Sequence, residues 1–278
     1  MRLVRSHGLG NDYLVLATDQ VLTAPVVRAL CDRHRGVGGD GVLEHVPSDV
    51  ADYGLRIWNP DGSQAEKSGN GLRIFARYLV DHCYAPMAFT VEVASGRVRC
   101  TIDPGTAMVT VEMGQATFVP DQVPVRESLR EAETVVGAQR LRITAVGIGN
   151  PHCVCFVGHL IGPSGCIDDL PWRAWGRELE VDARFPNRTN VQFARVLSRR
   201  CIELRIWERG AGETQASGSS ACAVAAVAVD THRCDPDEDL ELRMPGGSLR
   251  VRVAADLELV QTGPVEEIAV VQTTRQWP

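Results

Sequence analysis

The sequence predicts an α/β protein of two pseudo-symmetric domains, each a mixed sheet or barrel wrapped around one central apolar helix. Three observations lead there. The chain has 278 residues, long for a single core and typical of two compact domains. The order strand, turn, Ser-Gly, apolar helix, strand meander occurs twice, marked each time by the tripeptide RIW at Arg56–Trp58 and Arg205–Trp207. The helix after each Ser-Gly pair is unusually apolar, and residues 221–229 carry no charge at all, which requires sheet on most sides.

In chain order, LVRSHGLGNDYLVLATD reads as strand, Gly-rich turn, strand. VVRALCDRH has helical spacing. YGLRIWNPDGS is a strand closed by a turn, since Asn-Pro-Asp-Gly brings turn formers in succession. Residues 69–82 form the first apolar helix. FTVEVASGRVRCTI and AMVTVEMG alternate as antiparallel strands, joined at Ser95-Gly96 and at Asp103-Pro-Gly. Residues 120–124 are expected to be a linker. Then the pattern restarts. RITAVGIGNPHCVCFV reads as strands about a turn and PWRAWGRELEVD as a helix. TNVQFARVLSRRCIELRIWERG gives two strands, SGSSACAVAAVAVDTHRC the second apolar helix, and the remainder closes with strands. The expected domains are 1–118, with a returning strand at 264–278, and 119–263.

Composition narrows the function. Hydrophobic residues make up 44% and charged residues 23%, ordinary for a soluble globular chain. The formal net charge is −6 without a Lys/Arg cluster, which argues against nucleic acid as a partner. No apolar run reaches membrane-spanning length, and the first residues lack the apolar core of a signal peptide, so a cytoplasmic location and no membrane partner are expected. The nine cysteines are scattered, with Cys153 and Cys155 the one close pair. Without a CxxC or a Cys/His ladder they read as free thiols, mostly small buried hydrophobes, and no structural metal is expected.

Four features can carry chemistry. The first is the pair of helix starts at Ser68-Gly69 and Ser217-Gly218. A first helical turn presents free N–H donors and the positive end of the dipole, and glycine admits a ligand close to the backbone. Two such ends suit a carboxylate; either serine taken singly reads as an N-cap. The second is GIGNPHCV, where Asn150 and His152 could present an imidazole titrating near neutrality. The third is WERGAGE, where Glu208 and Arg209 are either a solvated rim pair or a base and a carboxylate clamp. The fourth is HGLGNDY, with Asn11 in a turn. RHRGVGGDG is rich in glycine but lacks the GxxxxGK[ST] pattern of a phosphate loop.

Together the words HGLGNDY, RHRGVGGDG, NPDGS, SGNG, VEMGQATFVP, GNPHCV, RTNVQF, ERGAGET, SGSSACA and MPGG resemble the diaminopimelate epimerase family, in its order and over nearly the whole chain. The resemblance implies two similar domains with the active site in the cleft between them, and a homodimer. It implies inversion of one α-carbon of LL- or meso-diaminopimelate, a small amino-acid substrate on the path to lysine, without pyridoxal phosphate, metal or other cofactor. In the family one cysteine thiolate removes the α-proton and a second cysteine thiol returns a proton from the opposite face. Both sit at helix N-termini that cradle the α-carboxylate.

Carried over by position, those cysteines fall on Ser68 and Ser217, and none of the nine cysteines replaces them; Cys222, the nearest, is expected to face the core. Asn11, Asn59, Asn150, Asn190, Glu208 and Arg209 match residues that hold the two ends of the substrate. Gly69, Asn70, Gly218 and Ser219 match the backbone cradle. His152 and Glu208 match groups around the reacting amine. A serine hydroxyl is far more basic once ionised than a thiol, and a helix dipole contributes only about 0.3–1 kcal/mol, up to ~2 when partly buried. Three readings stay open. His152 or Glu208 could assist the serines in epimerisation; the site could have turned to one-base isomerisation or dehydration; or it could bind an amino acid without turnover. The substitutions could also be engineered, although Ser219 and Ser220 depart from the family word too, which favours natural divergence.

Overall fold

The computed structural model describes residues 1–17, 22–162, 165–274 and 277. The chain divides into unit 1, residues 1–112 with 262–278, and unit 2, residues 113–261.

Unit 1 opens with β1 (Arg2–Gly8) and β2 (Asn11–Ala17), an antiparallel pair. The turn between them needs positive φ at Leu9 and Gly10, as a tight hairpin does. α1 (Ala24–Cys31) follows with a proline in its first turn and buries Val26, Val27, Leu30 and Cys31. It stops there because Asp32 Oδ1 accepts the N–H groups of His34 and Arg35, at 2.8 and 2.9 Å. β3 (Val42–Val46) lies parallel to β2, and β4 (Tyr53–Trp58) lies antiparallel to β3. A short β5 (Gln64–Ala65) leads to α2 (Gly69–Cys83). Then β6 (Ala88–Val93) runs parallel to β4, with β7 (Gly96–Ile102) and β8 (Val109–Gln115) as a meander. The closing strand Glu266–Gln272 pairs antiparallel with β1.

Unit 2 repeats this order. β9 (Ala132–Val136) edges β10 (Gln139–Gly147), and β10 pairs antiparallel with β11 (Pro151–Phe156). α3 (Trp172–Glu180) buries Trp172, Trp175 and Leu179. β12 (Asn190–Ser198) is parallel to β11, β13 (Cys201–Glu208) antiparallel to β12, and β14 (Gly212–Thr214) leads to α4 (Gly218–Asp230). β15 (Asp239–Met244) is parallel to β13, β16 (Gly247–Val253) is antiparallel to β15, and β17 (Glu258–Gly263), like β8, spans the point in the chain where one unit gives way to the other. The pairing sense, antiparallel, parallel, antiparallel, antiparallel, parallel, antiparallel, is the same in both units.

Every residue from Gly218 to Val229 is buried, and α4 packs against β10, β11, β12, β15 and β16. α2 packs against β1, β2 and β7, burying Leu72, Ile74, Phe75, Ala76 and Leu79. The residues 120–124 are not an extended linker. Val123 N and Val125 N bond to Pro120 O at 3.2 and 3.0 Å, and Val123 is fully buried, so this segment is a closed turn within unit 2. The two RIW tryptophans are anchored alike: Trp58 Nε1 donates to Glu44 Oε2 and Trp207 Nε1 to Glu180 Oε2, each at 2.8 Å. Among the described residues no helix is long and apolar enough to cross a membrane.

The C-cap of α2 supplies a test. Tyr84 ends the helix in the left-handed region, at φ 55° and ψ 33°, with its side chain 94% exposed. A side chain there meets the steric penalty that glycine escapes. Tyr84→Gly is expected to raise the unfolding free energy by about 1 kcal/mol, seen as a higher urea midpoint at unchanged slope.

Candidate functional site

In unit 1 the candidate residues gather at the N-terminus of α2. Ser68 is extended, at φ −138° and ψ 118°, and its Oγ accepts the N–H of Gly71 at 3.0 Å, so it does cap the helix. Asn11 reaches the same turn: Asn70 Nδ2 donates to Asn11 Oδ1 at 3.1 Å, and Asn11 Nδ2 donates to Asp40 Oδ2 at 3.0 Å. Asn70 is itself held from beneath by the fully buried Arg73, whose Nη2 donates to Asn70 Oδ1 at 2.7 Å.

Asp40 extends the network outward. It accepts Asp12 N at 3.1 Å and binds Arg33 Nη2 at 2.6 Å; Arg33 also meets Asp12 at 2.7 Å, as does Arg5. Burial works against the Asp12 charge, but its bonds to Arg33 and Arg5 prevail and hold its carboxyl below the usual range. Asn59 stands apart, in the β4–β5 turn, where its N–H and Nδ2 bond to Ser63 O and Oγ at 2.8 and 3.0 Å.

In unit 2 the equivalent helix start differs in one respect. Ser217 has the same extended backbone, φ −144° and ψ 123°, but its hydroxyl makes no capping bond and lies 3.5 Å from Ser219 Oγ. The hydroxyl that would have satisfied a first-turn N–H is turned elsewhere. Gly218 and Ser219 are buried beside it.

His152 is fully buried and both its nitrogens are occupied. Nε2 meets Asn150 Oδ1 at 2.8 Å, so the proton is on Nε2; Nδ1 then accepts from Gln192 Nε2 at 3.0 Å. Gln192 Nε2 also donates to Ser220 Oγ at 3.0 Å, which ties the first turn of α4 to the Gly149–Asn150 turn. Burial, with the positive charge of Arg209 added, pushes the imidazole down to about 3. The expectation of an imidazole near neutrality therefore does not hold: His152 lies on β11, flanked by β10 and β12, and its ring is fully buried rather than at a wet turn. Asn190, opposite His152 in the parallel register, donates to Pro151 O and accepts Arg209 N, each at 3.0 Å. Arg209 Nη1 reaches Asn187 O at 3.4 Å, and the half-buried Glu208 ends β13. The turn after it is pinned where Gly210 N donates to Glu180 Oε1 at 2.8 Å.

Sequence reasoning passed over Gln192, Asp40, Arg73 and Tyr13. The signal for Gln192 was present, a lone amide between Val191 and Phe193 in an apolar strand; the others are recognisable only once distant elements meet. No thiol takes the serine positions, and Cys222 is fully buried in α4. Burial pushes the thiols of Cys31 and Cys100 up to about 12.

The His152 environment is testable by pH. In the unfolded chain a histidine titrates near 6.5. With a native value of about 3, the unfolded state alone binds this proton between those limits, so stability falls as pH drops through that window. Histidine NMR is expected to show an Nε2–H tautomer that does not titrate from pH 8 to 5. Unfolding free energy is expected to fall by about 2 kcal/mol from this side chain between pH 7 and 5.

The chain matches the diaminopimelate epimerase family over residues 3–119 and 144–268. It is 40% identical to diaminopimelate epimerase 2 of Nostoc sp., covering 97% of this chain and 94% of that one. It is 38% identical to the diaminopimelate epimerase of Desulfitobacterium hafniense, covering 95% of each. Among solved structures, a hydroxyproline epimerase from Agrobacterium vitis superposes with a TM-score of 0.74 at 16% identity, over 98% of this chain and 91% of that one. A methylitaconate-delta-isomerase superposes with a TM-score of 0.65 at 10% identity, over 100% and 99%. These two similarities speak to the fold. Two helix starts of one design, set in two units of one pairing order, and close sequence relatives over almost the full length make this chain a member of the diaminopimelate epimerase family.

Proposed function

We propose that the protein is an isomerase that epimerises the α-carbon of diaminopimelate, LL to meso, by two-base proton transfer without a cofactor. The observation that carries the reading is the duplicated helix start, Ser68-Gly69 on α2 and Ser217-Gly218 on α4, each preceded by the same strand and turn. First-turn N–H groups at Gly69, Asn70, Gly218 and Ser219 suit the α-carboxylate, whose charge grows as the α-carbon loses its proton. Ser68 and Ser217 take the two proton-transfer positions. Asn11, Asn59, Asn150, Asn190 and Arg209 hold the amino and carboxylate ends of the substrate, with Glu208 near the reacting amine.

His152 takes a positioning part in this reading. A ring that is neutral, buried and bonded at both nitrogens has no proton to move near neutral pH, but it fixes the amide of Asn150. The assistance the serines need therefore comes from elsewhere. A homodimer and a cytoplasmic location accompany the reading through the family resemblance; sedimentation analysis tests the first.

The direct test is α-deuterium incorporation into LL- and meso-diaminopimelate in D2O. Incorporation at both configurations is expected. Binding of either isomer without exchange would replace the reading with that of an amino-acid binding protein, and exchange at one configuration alone would favour one-base chemistry. Ser68→Cys/Ser217→Cys is expected to raise the exchange rate on the order of 10²-fold, since a thiol titrates at about 8.5 and an alcohol is far more basic once ionised.

A further inference from the structure

Ser68 has a second polar neighbour that the epimerase reading does not use. Tyr13, on β2 two residues past Asn11, places its hydroxyl 3.2 Å from Ser68 Oγ. Tyr13 is 8% exposed, and its ring is held by Gly41. A methyl group at residue 41 would lie 2.6 Å from Tyr13 Cε1 and 3.0 Å from Cδ1, so the ring keeps this place only beside glycine. Either oxygen of the pair can donate. Because Ser68 Oγ already accepts Gly71 N–H, a second bond from Tyr13 leaves the serine proton free to point away from both.

We propose that Tyr13 is the proton partner of Ser68, a positioning residue that acts on the substrate only through the serine hydroxyl. The proposal rests on the epimerase reading. In reprotonation, the electron pair on the α-carbon takes the Ser68 hydroxyl proton, so a C–H bond forms as the serine O–H bond breaks. The Tyr13 O–H bond breaks in turn, its proton passes to Oγ, and the charge rests on the phenolate. In abstraction the steps reverse: the phenolate takes the serine proton, Oγ takes the α-proton, and the C–H pair stays on carbon. Nothing is oxidised or reduced, and water returns the phenol proton between turnovers in one direction. A phenol titrates near 10, while an alcohol is far more basic once ionised and is almost never ionised at neutrality without an adjacent base. Moving the charge from Oγ to Tyr13 thus removes most of the obstacle that serine presents, and Gly71 N–H stabilises Oγ during the transfer.

The test compares the wild type, Tyr13→Phe, Ser68→Cys and the double variant in α-deuterium incorporation into diaminopimelate. Phenylalanine keeps the ring and its packing. Tyr13→Phe is expected to lower kcat about 10²-fold with KM changed less than about threefold, and to remove the basic limb of the kcat–pH profile. In the Ser68→Cys background the same substitution is expected to cost at least ~10-fold less, because a thiol titrating near 8.5 needs no phenol. Equal losses in the two backgrounds would overturn the proposal. A second measurement does not depend on turnover: the ¹³Cζ resonance of Tyr13, titrated in wild type and Ser68→Ala. Loss of the serine is expected to raise the phenol pKa by about one unit, and an unchanged pKa overturns the pairing. If the wild type incorporates no deuterium, the epimerase reading fails, and the NMR titration alone decides whether the two hydroxyls are coupled.

Discussion

A helix without a polar face has nothing to offer water, and that constraint organises unit 2. α4 is covered along its length by strands that precede it and strands that follow it. Such a helix can show its backbone only at an end. At the start, where the first N–H groups have no intrahelical partner, the sequence places glycine and small hydroxyl residues, buried like the rest of the helix. The covered helix and its unpaired first-turn donors are therefore one feature. α2 differs: its C-terminal turns carry the Arg77–Asp81 ion pair on the surface, while the buried Arg73 holds Asn70 from the interior.

The two helix starts reach similar ends by different wiring. In unit 1 a carboxylate does the organising: Asp40, in the α1–β3 loop, holds Asn11 and Asp12 at the start of β2, with the charge balanced by Arg33. In unit 2 the wiring is neutral, an amide, an imidazole, a second amide and a hydroxyl in sequence from Asn150 to Ser220. A neutral chain suits a fully buried place, where a charge would need a partner of its own. The serines differ as well. Ser68 is committed to its helix cap and Ser217 is not, so the hydroxyls are unequal before any ligand arrives.

Local chemistry was legible in the sequence, and distant chemistry was not. The RIW strands, the Ser-Gly helix starts and the uncharged run from Ala221 follow from spacing and composition, and the structure places them as read. The role of His152 could not be read from GNPHCV, because its titration is set by burial and by Gln192, which arrives from another strand. Residues 120–124 looked like a linker because proline and polar residues share the signature of linkers and of tight turns; the burial of Val123 separates the two. Tyr13, unlike Gln192, carried no signal of its own in the sequence. Its neighbours, Gly41 and Ser68, are far away in the chain and near only in the fold.

The last strand has a consequence in time. Unit 2 is one uninterrupted run of chain, but unit 1 is completed by Glu266–Gln272 lying along β1. On a ribosome the second-made unit has all its strands first, while the edge of β1 waits for the closing residues. The N-terminal half is thus the last to finish, and until then its first strand has an open flank, the usual place for a wrong partner to add itself.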